Sequence, residues 1–246
     1  MNDHALRPAF VLHRRAYRES SLLVELLTLD EGRIGVVARG ARRRRGGTPL
    51  EPFGELLVRW GGRGELGQLH AFESAAQPSR LVGTALYSGF YLNELLLRLL
   101  RRHDPHPEVY ADYAATLAAL ADGGAGRVEA LLRMFECRLL EACGYGMELR
   151  VEVPNGTPLA PDRRYRYEPE LGPVAVDDDA RGGLLVHGRT LLALASGELD
   201  DARDLRELKP LLRSVLTPHL GPRPLASRAL FHASHTGVSP ASGGAA

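Results

Sequence analysis

The stretch that most constrains this chain is Gly32–Gly47, GRIGVVARGARRRRGG. Ile34 and Val36 alternate with their neighbours at the two-residue period of a strand, and the strand pattern breaks at Gly40. The stretch holds six arginines: Arg33, Arg39, Arg42, Arg43, Arg44 and Arg45. We therefore expect a strand that runs directly into a strongly basic loop.

No acidic residue lies between Glu31 and Glu51, so these guanidinium groups have no local counter-charge. Clustered cations repel one another unless a polyanion is present, and a nucleic-acid backbone is such a polyanion. The stretch thus favours nucleic-acid contact. The alternative is a solvated basic loop without a binding role.

The charge of the whole chain is uneven, although its net value is only +1. Residues 1–80 hold 13 arginines and 9 acids, whereas residues 81–246 hold 18 basic and 21 acidic residues. This asymmetry places the polyanion-facing part in the first third of the chain.

The first 79 residues show five short apolar segments, the first two separated by a polar break at Arg18–Ser21 and the others by glycine-containing turns and loops. They are Ala9–Arg14, Leu22–Leu29, the strand that begins at Gly32, Gly54–Trp60 and Leu66–Glu73. Five strands without a helical pattern predict a small β-barrel over residues 1–79. An OB-type barrel fits the count, and an SH3-like barrel fits it nearly as well.

From Arg80 onward the apolar period becomes helical, which predicts a helical domain over residues 80–231. The predicted helices run from Arg80 to the prolines after His103, and over Glu108–Ala121, Arg127–Cys143, Gly188–Ser196 and Asp200–Leu220. We expect Pro210 either to kink the last helix or to set a helix start near Leu208. The overall class is α+β.

Two further segments lack a helical pattern. Residues 147–182 are proline-rich and irregular, with a possible hairpin formed by Arg164–Glu168 and Gly172–Val176. Residues 232–246 lack core-forming side chains, which predicts a disordered tail.

The residues offer little for catalysis, secretion or membrane insertion. Cys137 and Cys143 are the only cysteines, and no signal peptide or bilayer-spanning stretch is visible, which predicts a soluble cytoplasmic protein. The glycine-rich Gly61–Gly67 lacks the phosphate-loop lysine and a following helix, and Asp177–Asp179 is a weak metal cluster. We therefore expect no enzymatic activity.

Five segments in register resemble the bacterial recombination mediator RecO family. They are Ala9–Arg42, Leu50–Leu69, Leu86–Leu100, Arg133–Gly146 and Pro218–Phe231. The resemblance covers nearly the whole chain, and it implies an N-terminal OB-fold joined to a helical C-terminal domain.

The resemblance also implies a set of partners. It implies binding to single- and double-stranded DNA, annealing of complementary strands, and contact with the C-terminal tail of single-stranded DNA-binding protein. With RecR, the protein is expected to help load RecA, and to be cytoplasmic and nucleoid-associated. Some members carry a four-cysteine zinc site after the third helix, but residues 147–182 contain no cysteine, so we expect no metal and no cofactor.

The expected DNA-binding residues are Arg14, Arg39, Arg42, Arg43, Arg44 and Arg45, with Tyr17 as a base-stacking platform. Phe53 and Trp60 also offer aromatic faces, but their alternation with apolar neighbours favours a place in the core.

The partner tail is expected to be acidic with an apolar end, so its groove should combine aromatic and arginine side chains. Tyr87, Arg98 and Arg133 are the candidates, and Arg133 is the preferred one. An ordinary solvated helix face is the alternative for Tyr87 and Arg98. The alternative function is a protein-interaction adaptor that does not bind DNA.

Overall fold

The computed structural model describes residues 5–43, 49–62, 64–75, 80–123, 125–177 and 179–230. Arg44 and Arg45, both predicted DNA contacts, lie outside these residues, as does the predicted disordered tail. Within the described ranges, no helix has both the length and the apolar character needed to cross a membrane.

The N-terminal part is a closed five-stranded barrel. Its strands are β1 (Arg7–Tyr17), β2 (Ser21–Thr28), β3 (Gly32–Ala38), β4 (Glu55–Gly61) and β5 (Leu66–Ser74). The strand order around the barrel is β1-β2-β3-β5-β4, and the sheet closes where β4 pairs with β1. All pairings are antiparallel except β3 with β5, which is parallel. The predicted OB-type barrel is confirmed.

Alternating side chains of each strand fill the barrel interior, because successive residues of a strand point to opposite faces. Val24, Ile34 and Val58 are at most 1% exposed, and Trp60 lies in the same cluster at 8%. The core placement favoured for Trp60 is therefore correct.

In the described part of the chain, five α-helices and a small sheet follow the barrel. The helices are α1 (Gly83–Leu99), α2 (Pro107–Ala121), α3 (Val128–Ala142), α4 (Gly188–Ser196) and α5 (Ala202–Leu216). The sheet contains β6 (Arg164–Glu168), β7 (Gly172–Ala175) and β8 (Leu185–His187), in the order β7-β6-β8. The β6–β7 hairpin matches the prediction. The sequence pattern missed β8 because three residues are too few to show an alternation.

Helix α5 begins at Ala202 and runs without interruption through Pro210. The expectation of a helix start near Leu208 is wrong. Asp201 caps the helix by accepting a hydrogen bond at 2.7 Å from the amide of Arg203, and a buried apolar face that includes Leu208 and Leu212 holds the helix on both sides of the proline.

The outer wall of the barrel packs directly on the helices. The ring of Phe10 lies 5.1 Å from the rings of both Tyr110 and Tyr113, and Leu12 and Leu27 belong to the same buried cluster as α1 and α2. The barrel and the helices thus share one apolar core across their contact.

A partly buried charge cluster lies at this contact. Glu25 of β2 pairs with Arg33 of β3, Nε to Oε2 at 3.2 Å, and also with Arg102, which follows α1. Arg33 donates to the carbonyl oxygens of Leu97 and Leu100 at the end of α1. Arg33, one of the six arginines counted in Gly32–Gly47, therefore has internal partners and is not available to a polyanion.

Candidate nucleic-acid interface

The second half of β1 extends beyond the barrel wall. β1 pairs with β4 only over Arg7–Phe10, whereas its pairing with β2 continues to Tyr17. Residues 13–16 are all exposed, and Tyr17 is half-buried. The sequence here is HRRAY, and its charged side chains cannot enter an apolar interior. The result is an exposed basic ribbon on β2.

The start of the basic loop is hydrogen-bonded to the turn between β1 and β2. The amide of Arg42 donates to the carbonyl of Ser20 at 3.0 Å, and Nη1 of Arg42 donates to the carbonyls of Arg18 and Glu19 at 3.2 and 3.0 Å. Strand register brings the same parts together, since Tyr17 faces Ser21 and Leu22 faces Ala38. Two segments about twenty residues apart therefore meet at one end of the barrel.

We call this surface the basic end of the barrel. Its described members are Arg14, Arg15, Tyr17, Arg18, Arg39, Arg42 and Arg43. The structure thus brings together all the described residues that were predicted to bind DNA. Arg15 and Arg18, which extend the basic patch from Arg14 along the sequence, lie here as well, and Arg18 has a positive φ of 52° in the turn between β1 and β2.

Only two acidic side chains form ion pairs with these described cations. Glu51 lies 2.6 Å from Nη2 of Arg14, and Glu19, 94% exposed, lies 4.0 Å from Nη2 of Arg43. Exposed ion pairs contribute roughly 0–1 kcal/mol, so a phosphate can displace either carboxylate. The surface keeps a net positive charge.

Arg42 has a structural task as well as a charge. Its guanidinium group donates hydrogen bonds to the carbonyls of Arg18 and Glu19. The exposed Arg39, in contrast, has no ion pair within the described part of the chain. Arg39 and Arg43 are therefore the better candidates for phosphate contact, and Arg42 contacts the turn beside them.

Among the aromatic candidates, Tyr17 lies at the basic end. The guanidinium carbon of Arg18 is 5.3 Å from the centre of its ring. Trp60 is buried beneath Arg7, and Phe53 packs edge-on against Phe90 at 5.1 Å. Phe53 and Trp60 therefore serve the core, and Tyr17 remains the stacking candidate.

The residues predicted to bind a partner tail lie elsewhere, on the helices. Nη2 of Arg133 donates to Oε1 of Glu136 at 2.7 Å, and the hydroxyl of Tyr91 donates to the same oxygen at 2.7 Å. Arg133 is 7% exposed and Glu136 1% exposed. Burial, followed by the Glu136 charge, raises the pKa of the Tyr91 hydroxyl, so it stays protonated as the donor.

Arg98 is also engaged inside the protein. Nη1 donates to the carbonyl of Leu220 at 3.1 Å, and Nη2 donates to Glu94 at 2.7 Å and to the carbonyl of Pro224 at 2.9 Å. Tyr87 is half-buried on the same helix. The assignment of Tyr87, Arg98 and Arg133 to a partner tail stays a prediction. The contacts show that Arg98 and Arg133 both have partners within the fold.

No group of three or more His, Cys, Asp or Glu side chains in the described ranges is arranged to hold a metal ion. Burial, with the nearby Glu141 carboxylate, raises the pKa of the Cys137 thiol to about 11. Cys143 also has a raised pKa because of burial. Both thiols are therefore protonated at neutral pH and are weak ligands and nucleophiles.

Comparison with known proteins agrees with this architecture. Residues 1–78 match the family model "Recombination protein O N terminal", and residues 80–229 match "Recombination protein O C terminal". A DNA repair protein RecO from Methylococcus capsulatus is 51% identical over 94% of this chain and 93% of its own. One from Alkalilimnicola ehrlichii is 54% identical over 92% and 90%, and one from Pseudomonas aeruginosa is 47% identical over 94% and 96%. The chain belongs to the RecO family of DNA repair proteins.

Proposed function

We propose that this protein is a recombination mediator that binds single- and double-stranded DNA and anneals complementary strands. With RecR, it would help load RecA onto strands coated by single-stranded DNA-binding protein. Membership of a DNA repair family supports the general role. The observation that carries the DNA-binding step is the basic end of the barrel.

The physical basis of binding is counterion release. Each phosphate that an arginine neutralises frees condensed cations, and the log–log salt slope for single strands is about −0.7 per contact. If Arg14, Arg39 and Arg43 each contact one phosphate, the slope is roughly −2. Tyr17 would add a sequence-tolerant stacking contact, because every base has a π-face.

Annealing by this surface requires no catalytic group. Neutralised phosphates repel a second strand less strongly, and a strand held on the protein meets its complement at a higher effective concentration. Activity should therefore need neither nucleotide nor metal.

The helical part would serve the protein partners. An acidic tail with an apolar end would need aromatic and cationic side chains, and Tyr87, Arg98 and Arg133 combine these on α1 and α3. Arg98 and Arg133 already contact other residues of this chain. Binding of a tail would therefore replace these internal contacts with contacts to the tail.

The test is fluorescence anisotropy of labelled single-stranded DNA at several salt concentrations. The variant Arg39→Ala/Arg43→Ala removes two exposed cations from the basic end. The control, Arg127→Ala/Arg223→Ala, removes two exposed arginines elsewhere. We expect a 5- to 20-fold loss of affinity and a slope shallower by about 1.4 in the first variant, and little change in the control.

The outcomes separate the alternatives. Wild-type protein that fails to bind DNA at low salt would refute the mediator proposal and favour the protein-interaction adaptor. Binding that is equal in both variants would place DNA away from the basic end. Strand cleavage that depends on added metal would indicate an enzyme instead.

A further inference from the structure

The solvent-facing side of α5 carries a row of cations. Arg203, Arg206, Lys209 and Arg213 are all exposed, and they recur at three- and four-residue spacings. At 1.5 Å per residue, the row from Arg203 to Arg213 is about 15 Å long. The opposite face of the helix is buried, which holds the row in a fixed orientation.

The acids of α5 pair with only one of these four cations, Arg203. Asp204 is 6% exposed and accepts a hydrogen bond from the hydroxyl of Thr190 at 2.5 Å. Glu207 accepts from the amide of His187 at 2.9 Å and lies 3.5 Å from Nε of Arg203. Both carboxylates are thus held against the inner side of the helix.

Two of the cations have no described counter-charge. Within the described residues, Arg206 and Arg213 form no ion pair, and Lys209 reaches Glu129 at 3.7 Å through two well-exposed side chains. This row stands out because residues 81–246 as a whole carry more acids than bases. A cationic helix face within an otherwise acidic part of the chain would attract an anion to that face in particular.

An aromatic platform lies just beyond the C-terminal end of α5. The rings of Tyr145 and His219 stack with centroids 3.7 Å apart and planes 20° apart. Tyr145 is 42% exposed, so the pair presents a ring to solvent. An exposed aromatic ring accepts a nucleobase of any identity, and its combination with a cationic track is typical of single-strand binding surfaces.

We infer that the exposed face of α5, together with the Tyr145–His219 pair, is a second contact surface for single-stranded nucleic acid. A length of about 15 Å spans about four phosphates at the 3.4 Å spacing of a stacked strand. The cations of this surface lie on α5, whereas the basic end belongs to β1, the turn after β1 and the loop after β3. One molecule can then hold two strand segments at once, a role in annealing that rests on the proposed function.

A two-by-two comparison of variants tests the inference. The first arm is the barrel variant Arg39→Ala/Arg43→Ala, the second is Arg206→Ala/Arg213→Ala, and the third combines them. Binding of labelled oligo-dT is measured by anisotropy, with far-UV circular dichroism as the folding check. Arg206→Lys/Arg213→Lys keeps the charge, and Arg127→Ala/Arg223→Ala is the matched control.

We expect Arg206→Ala/Arg213→Ala to bind about 3- to 10-fold more weakly than the wild type, with a log–log salt slope shallower by about 1.4. The lysine variant should retain most of the binding. If DNA binds to α5 but not to the basic end of the barrel, Arg206→Ala/Arg213→Ala loses affinity and Arg39→Ala/Arg43→Ala does not. If the α5 variant binds like the control, the inference is overturned and the row is an ordinary solvated face.

A capture assay tests simultaneous binding of two strands. Biotinylated oligo-dT is immobilised and loaded with protein, and a second, labelled oligo-dT is then added, so that base pairing cannot link the two. We expect wild type and Tyr145→Phe to capture the second strand. Tyr145→Ala and Arg206→Ala/Arg213→Ala should capture at least three-fold less while still binding the first strand. Capture that is unchanged in both variants would contradict the inference.

Discussion

The Nδ2 group of Asn93 donates a hydrogen bond to the carbonyl oxygen of Leu12 over 2.7 Å. Leu12 lies at the β-bulge of β1, where the pairing register with β2 shifts between Val11 and His13. Oδ1 of Asn93 in turn accepts from the hydroxyl of Tyr113 at 2.5 Å. α1 and α2 thus hold β1 at the point where it leaves the barrel and becomes the exposed basic ribbon.

Asn93→Leu should destabilise the protein by about 2–3 kcal/mol, because it leaves the carbonyl of Leu12 and the hydroxyl of Tyr113 buried without a partner. Urea unfolding measures the change. Tyr113→Phe is the comparison, and it should cost less because it removes one hydrogen bond and keeps the contact with Leu12. A loss below about 0.5 kcal/mol in Asn93→Leu would show that the contact is not needed for stability.

Alanine substitutions at Gly32 and Gly40 can be compared to separate the cost of backbone strain from the cost of a steric clash of the added Cβ atom. Both have positive φ, 65° and 69°. A Cβ on Gly32 would lie 2.0 Å from the carbonyl oxygen of Asp104, whereas a Cβ on Gly40 would meet nothing within 4 Å. Gly40→Ala should therefore cost about 1–2 kcal/mol for the left-handed backbone alone.

Gly32→Ala should cost at least about 3 kcal/mol, because the segment around Asp104 must also move away from the barrel. Thermal and urea unfolding of the two variants measure the loss in free energy of unfolding, which should be larger for Gly32→Ala than for Gly40→Ala. Equal losses would mean that the contact of Gly32 with Asp104 contributes nothing.

Glu51→Gln should strengthen single-strand binding by about two- to fivefold, because the carboxylate that pairs with Arg14 competes with phosphate. Anisotropy titration at low salt measures the effect, and the gain should shrink as salt increases. Glu198→Gln removes an exposed acid elsewhere and serves as the control. If Glu51→Gln binds no more tightly than this control, Arg14 does not contact DNA.

The C-terminal segment should loosen in acid through Glu94. Burial alone would raise the pKa of Glu94, but hydrogen bonds from Ser227 and Ala226, and from Arg98, outweigh it and hold the pKa below its usual value. A depressed folded-state pKa means that this stabilisation is fully present above the unfolded pKa. It is lost as the pH falls from about 4.5 through the folded value.

Amide hydrogen exchange at Ala226 and Ser227 reports this directly. Protection should fall as the pH is lowered below about 4.5, after correction for the intrinsic pH dependence of exchange. Glu94→Gln should show reduced protection at neutral pH and little further change in acid. Protection in the wild type that is constant over this range would rule out Glu94 as the acid-sensitive contact.

The sequence predicted the barrel strands and the main helices well because these depend on local periodicity. Alternation in Gly54–Trp60 and the helical stripe in Glu108–Ala121 each reflect one face packed against a core. The sequence pattern did not predict β8, because this short strand forms only by pairing with β6, whose residues lie about twenty positions earlier in the chain.

The roles of individual arginines were predicted less well. Arg33 and Arg39 look alike in the sequence, yet Arg33 binds Glu25 and the carbonyls at the end of α1, while Arg39 faces solvent. Arg98 reaches Leu220, 122 residues away along the chain. A guanidinium group can satisfy its donors on an internal carbonyl or on an external phosphate, and local pattern does not distinguish the two.

The sequence by itself determined the order of strands and helices, the concentration of positive charge in the first third, and the resemblance to the RecO family. The tertiary structure decided which arginines remain available at the surface. It also placed Arg14, Tyr17, Arg39 and Arg43 at one end of the barrel, kept the cations of α5 exposed, and stacked Tyr145 on His219. Period and composition are local properties of a chain, whereas the pairing of a charge depends on neighbours that only the folded chain brings into contact.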